Sequence, residues 1–255
     1  HDWQTALIPV YLKTLLRGDP FLEGIATVFT IHNLGYQGLF GPEILPRLGL
    51  HRELFTPAGI EFYGQVNLLK GGLLFADLLT TVSPRYSREI QTPELGHGLD
   101  GVLRQRSGDL FGILNGIDPE EWNPAIDRHI AARYTAADLS GKALCKKDLQ
   151  RRFRLPERAE VPVLGVVSRL AGQKGLDLLR DIMVDVMSLD LQLILLGSGE
   201  KALEAAFLQA ATQHPSKLGV KIGFDIPLSH QIEAGADLFL MPSRYEPCGL
   251  NQMYS

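Results

Sequence analysis

Cysteine is nearly missing from this chain of 255 residues, with only Cys145 and Cys248, far apart in the sequence. That usage offers neither a disulfide framework nor the C-x-x-C spacing of a structural zinc site, and it suits a reducing compartment. The expected location is the cytoplasm. Long apolar runs are also missing: none approaches the roughly 18 residues that a membrane span needs, and no signal peptide precedes the opening His1. An excess of either charge is missing too, since 25 Lys and Arg face 29 Asp and Glu for a net charge of −4 and a pI near 6.0. Such a chain has no long-range attraction to nucleic acid or to anionic membranes. Any phosphate it binds must be held by a few local cations.

What is present is a large apolar fraction, 45%, with 21% charged residues and 26 glycines, enough for a sizeable core without staples. Apolar β-rich runs alternate with amphipathic stretches, the pattern of α/β units around parallel sheets. Ile25–Ile31, Leu78–Val82 and Leu110–Leu114 read as strands in the first half, and Val163–Val167, Leu191–Leu196, Val220–Phe224 and Leu238–Met241 in the second. Leu139–Phe153, Leu176–Met187 and Lys201–Gln213 carry the spacing of helices. Between the halves lies the turn-rich Asn115-Gly116-Ile117-Asp118-Pro119, so the expected domains are 1–117 and 118–255. Open α/β sheets bind ligands at the carboxyl ends of their strands, which places the expected site in a cleft between the halves.

Two segments leave a buried strand and enter a helix. Ser168-Arg169-Leu170-Ala171-Gly172-Gln173-Lys174-Gly175 combines backbone N–H groups at a helix start with two cations, the makings of a diphosphate site. Surface Arg and Lys are more often a solvated pair, and that reading stays open here. Ser243-Arg244-Tyr245-Glu246-Pro247-Cys248-Gly249-Leu250-Asn251-Gln252 follows the last strand. Pro247 suits a helix start, Gly249 admits a ligand close to the backbone, and Glu246 is able either to accept from vicinal hydroxyls or simply to complement the helix dipole. In the first half, Lys70-Gly71-Gly72-Leu73 looks like a phosphate loop without its spacing, and its apolar neighbours suggest a close-packed helix instead.

His1-Asp2-Trp3, His32-Asn33 with Tyr36-Gln37-Gly38, Thr81-Val82-Ser83-Pro84, Gly98-Leu99-Asp100-Gly101, Asn115-Gly116-Ile117-Asp118, Arg169 with Gln173-Lys174-Gly175, and Glu246-Pro247-Cys248-Gly249-Leu250 occur in one register. Together they make the chain resemble the bacterial glycogen synthase and plant starch synthase family. The resemblance implies a GT-B fold, two Rossmann-like, doubly wound domains facing a cleft, both incomplete here. The family's opening Lys-x-Gly-Gly-Leu region and its last helices would lie outside the chain, and Asn251 stands where many relatives carry Thr.

By the same resemblance, the reaction is transfer of glucose from ADP-glucose to the 4-hydroxyl at the non-reducing end of an α-1,4-glucan, with retention of configuration. Neither metal nor cofactor is implied, and a plant source would make the compartment a plastid. The implied catalytic residues are His1, Arg169, Lys174 and Glu246. Asn33, Tyr36, Gln37, Asn115, Cys248, Gly249, Leu250 and Asn251 are the implied substrate contacts. A sucrose-type synthase or glucan phosphorylase fits the Glu246–Leu250 run less well. Rival readings are a non-catalytic glucan- or nucleotide-binding module and an NAD-dependent oxidoreductase. The last rests on Gly197-Ser198-Gly199-Glu200-Lys201-Ala202, which fits G-x-G-x-x-A after a strand.

Overall fold

The computed structural model describes all residues from His1 to Ser255, which divide into two compact units, His1–Asn115 and Gly116–Ser255. In the first unit β1 (Val28–Ile31), β5 (Leu78–Thr81) and β6 (Leu110–Gly112) form a parallel sheet in the order β1-β5-β6. Phe29, Ile31 and Leu79 point to one face and are buried there. The helix Leu68–Phe75 packs on that face, close enough that a Cβ at Gly72 would overlap the Phe29 ring. The other face carries Val28, Leu78 and Phe111, 60%, 43% and 50% exposed. Lys70 lies on that helix with its ammonium donating to the carbonyls of Pro57 and Glu61, both at 2.7 Å. Burial pushes its pKa down, partly offset by the Glu61 carboxylate. The Lys70–Leu73 run is therefore packing, as its neighbours suggested.

A second, small antiparallel sheet was not foreseen. β2 (Leu39–Phe40), β3 (Glu61–Phe62) and β4 (Gln65–Asn67) take the order β2-β4-β3, with strands too short to leave a period-2 signal. β3 and β4 form a hairpin whose loop is Tyr63-Gly64.

In the second unit β7 (Val163–Val167), β8 (Gln192–Gly197), β9 (Leu218–Ile222) and β10 (Leu238–Phe239) make one parallel sheet in the order β10-β7-β8-β9. Both faces are covered. Leu193 and Leu195 of β8 point into one core with Leu176, Leu179, Met183 and Phe207; Ile194 and Leu196 point into the other with Leu149, Leu228 and Ile232. Continuous apolar runs are what a doubly covered parallel strand requires. Gly165 lets the helix Ile226–Gly235 lie directly on β7, because a Cβ there would press on Ile232 and Ala236.

Several boundaries differ from the expected ones. β1 begins at Val28 rather than Ile25, since Ile25 closes a turn to Leu22 and the strand starts only where its β5 partner does. β6 ends at Gly112 and β10 at Phe239. β9 lies two residues earlier than read, ending before Gly223 with φ 136 and the exposed Phe224. The stretch Leu176–Met187 is two helices, Leu176–Asp181 and Met183–Ser188, interrupted at Ile182, where β-branched Ile182 and Val184 flank Met183 on the exposed side.

Candidate active site

The second unit assembles its polar cluster at the carboxyl end of β7. Ser168 to Gly175 leaves that strand, and Gly175, with φ 66, lies where a Cβ would overlap the carbonyl of Pro242. That close approach docks the segment 242–249 alongside. The Arg244 N–H donates to the Gln173 carbonyl at 3.0 Å, and the Gln173 amide to the Tyr245 carbonyl at 3.4 Å. The Arg244 guanidinium grips Asp177 with two bonds of 2.7 and 2.6 Å, holding that carboxyl at about 2. The frame is thus a fork-to-fork ion pair and three backbone carbonyls.

Inside this frame Lys174 donates to both oxygens of Glu246, at 2.6 and 2.9 Å, and Ser243 donates to the first of them at 2.6 Å. Both charged side chains are mostly covered, 19% and 17% exposed. An ammonium has three N–H donors, so one remains for a further acceptor, and the carboxylate keeps lone-pair capacity on its second oxygen. Arg169 is exposed on the same loop, its carbonyl accepting from Ala171 N–H at 3.0 Å. Asn251 directs its amide at the Val167 carbonyl, 2.7 Å away, and so clamps the end of β7. Pro247 does not start the helix. It is buried in the approach, and the helix Leu250–Tyr254 opens only after Gly249, whose φ of 79 no side chain adopts comfortably.

The first unit builds a separate cluster around its opening residues. His1 Nδ1 lies 2.8 Å from His32 Nε2, so the two imidazoles share a hydrogen bond. Asp2 accepts from the backbone N–H of His32 at 2.8 Å and of Asn33 at 3.4 Å, which fixes the turn after β1. Asn33 Oδ1 caps that turn through Gly35 N–H at 3.0 Å, and Tyr36 stands half exposed beyond it. Trp3 occupies the space a Cβ would need at Gly38. Gln37 is buried, with Oε1 accepting from Asn67 at 2.6 Å and Nε2 donating to the His97 carbonyl at 3.0 Å. Its amide is a brace between two loops. Asn115 is half-buried at the end of this unit.

The rival dinucleotide fingerprint has a structural explanation. A Cβ at Gly197 would overlap the Ser168 carbonyl and one at Gly199 the Leu170 carbonyl, so both glycines admit the loop after β7. The Gly199 N–H, which a pyrophosphate would use, donates to Glu204 at 2.9 Å.

A family model described as the starch synthase catalytic domain matches residues 1–105. Over all 255 residues the chain is 58% identical to a glycogen synthase from Anaeromyxobacter sp. (strain Fw109-5) and 55% identical to glycogen synthase 1 from Geobacter metallireducens. It spans 54% and 51% of those proteins, about half the length of the curated relatives it matches. The chain belongs to the glycogen and starch synthase family. Its fold matches a solved catalytic domain of starch synthase IV from Arabidopsis thaliana, bound to ADP and acarbose, with TM-score 0.91 and 37% identity over the whole chain and 53% of that one. The mixed α/β units with parallel sheets are thus of the GT-B class, and the oxidoreductase reading is not favoured.

Within this synthase-family chain the structure brings Lys174, Glu246, Cys248, Gly249 and Asn251 to one end of the second sheet, and His1, Asn33, Tyr36 and Gln37 to the end of β1 in the first unit. The sequence reading passed over Asp177 and quoted Ser243 and Arg244 without giving either a role. Ser243 was findable three residues before Glu246; Asp177 and Arg244 are 67 positions apart, and no local signal joins them. His32 was read only as part of a motif, without its partner. No group of three or more His, Cys, Asp or Glu side chains is arranged to hold a metal ion, and no helix is long and apolar enough to cross a membrane.

Proposed function

We propose that the chain carries transferase chemistry in which glucose passes from ADP-glucose to the 4-hydroxyl of an α-1,4-glucan with its α configuration retained. The observation that carries this reading is the meeting of Lys174 and Glu246, 72 residues apart, at the carboxyl end of β7 in a chain so similar to named glycogen synthases. The C1–O bond to the diphosphate breaks as the acceptor oxygen bonds to C1 on the same face, and the acceptor's proton leaves on the departing phosphate. A carboxylate nucleophile of the kind retaining hydrolases use is not part of this reading. Catalysis is then chiefly electrostatic.

In this scheme Lys174 and Arg169 neutralise the leaving diphosphate, with the N–H groups of Gly249 and Leu250 beside them. Glu246 holds glucose hydroxyls while keeping Lys174 aligned, and Cys248 and Asn251 border the donor. His1 attends the reacting glucose, with Asn33, Tyr36 and Asn115 as substrate contacts, while Gln37, expected as a contact from the resemblance, acts through the turn its buried amide braces. The starch synthase IV structure bound to ADP and acarbose supports the choice of a nucleotide donor and a glucan acceptor. The cytoplasm is the proposed compartment.

The test is steady-state kinetics on the protein extended to the length of its relatives. Lys174→Ala is expected to lower kcat about 10²–10³-fold, the usual loss for one preorganised charge-stabilising group, with a far smaller change in KM for the maltooligosaccharide. An unchanged kcat removes Lys174 from the mechanism.

A further inference from the structure

The hairpin of β3 and β4 turns through Tyr63 and Gly64, with φ of 50 and 82. Two-residue hairpin loops of this kind need positive φ at both central positions and favour Asn, Asp or Gly there. A tyrosine at the first position holds a backbone conformation that L side chains rarely adopt, and the residue is 84% exposed, so no core contact offsets that strain.

The ring nonetheless has neighbours on one side. Phe62 meets it edge-on, with centroids 4.6 Å apart at 81°. Gly98 lies beneath both: a Cβ there would press on Phe62 Cζ at 2.9 Å and would meet Tyr63 Cε2 at an ordinary 3.6 Å, so the glycine is what admits the Phe62 ring. The neighbouring His97 is a second non-glycine residue in the left-handed region, with φ 48, and its carbonyl is held by the buried Gln37 amide. Burial lowers the His97 pKa, favouring the neutral ring. Glu61 Oε1 accepts from Gly64 N–H at 2.7 Å and leaves a carboxylate oxygen at the hairpin tip. The strained turn thus presents Tyr63 as an exposed aromatic face with Phe62 and Gly98 behind it, and the strained His97 is the residue next to Gly98.

We propose that Tyr63, backed by Phe62 and Gly98, is a stacking platform for the pyranose rings of an α-glucan. Its occupant follows from chemistry. The tip residues Glu61, Phe62, Tyr63 and Gln65 include no cation, and the Lys70 ammonium behind them is buried on the Pro57 and Glu61 carbonyls, which disfavours a phosphate-bearing ligand, while an aromatic face beside a carboxylate suits the C–H face and hydroxyls of a neutral sugar. The choice of an α-glucan rests on the proposed function; the platform itself rests on the hairpin.

Maltoheptaose is titrated calorimetrically into the chain and its variants. Tyr63→Asn places a residue that tolerates the left-handed conformation at 63, so its Tm should equal or exceed that of wild type while maltoheptaose binding weakens about tenfold, the worth of one aromatic contact. Tyr63→Phe should bind as wild type does. Binding by Tyr63→Asn within twofold of wild type, or no binding by wild type, overturns the proposal. ADP titration and glucose transfer by the extended protein report on the reaction separately. Transfer lost with maltoheptaose binding intact sinks the proposed reaction and leaves the platform standing.

Discussion

Arg244 and Asp177 form the one fork-to-fork pair in the frame around Lys174, and its effect on stability is readable from pH. Arg244 holds the Asp177 carboxyl at about 2, below its ordinary value of 3.8. A carboxylate depressed on folding adds stability that is fully present above the unfolded value and lost as pH falls through the folded one. Asp177→Asn should therefore destabilise the chain at pH 7 but hardly at pH 2, and denaturant titrations at the two pH values measure that difference. Equal losses at both would show that the pair contributes packing rather than charge. At this scale the sequence was half legible. Lys174 and Glu246 were both singled out, each as a free group facing substrate. Their mutual bond was invisible, because two residues 72 apart carry no mark of contact until β10 is laid beside β7.

Among the elements, β8 was the most legible, since a doubly buried parallel strand leaves an unbroken apolar run with only its ends in doubt. The β3–β4 hairpin was the least, its strands being two and three residues long. The helix Ile226–Gly235 carries a group no pattern announces. Glu233 is raised from 4.5 to about 7, chiefly by burial, despite the Ser255 hydroxyl and the charge of Lys142. A buried acid whose pKa is raised costs nothing below its unfolded value, and the cost grows as pH climbs toward the folded one. Glu233→Gln is accordingly expected to stabilise this chain by about 1–3 kcal/mol at pH 8 and to make little difference at pH 4. Thermal melts at the two values decide it; a variant less stable at pH 8 would mean that the carboxylate is well compensated.

For the whole molecule, the alternation of apolar and amphipathic stretches was enough to read two α/β halves, while the motifs in register carried the family. Side-chain pairing across long separations was beyond that reading, and it is where the second unit's polar cluster is built. The bonds linking the loop after β7 to the segment after β10 join residues 67 to 72 apart in sequence. Closing a loop of that length is entropically costly before any contact rewards it. The cluster is therefore expected to form late in the unit and to open before the rest of it. β10 adds only two register pairs at the sheet's edge, whereas β7 and β8 share five. Native-state hydrogen exchange should find the Arg244 amide, bonded to Gln173, opening at a lower free energy than the amides of β8. Equal protection would mean that unit 2 opens only as a whole. If the Arg244 amide opens first, β10 and the segment after it are a fold-timing element: the loop after β7 exists first as a bare turn, and Lys174 acquires its partner carboxylate only when that segment docks.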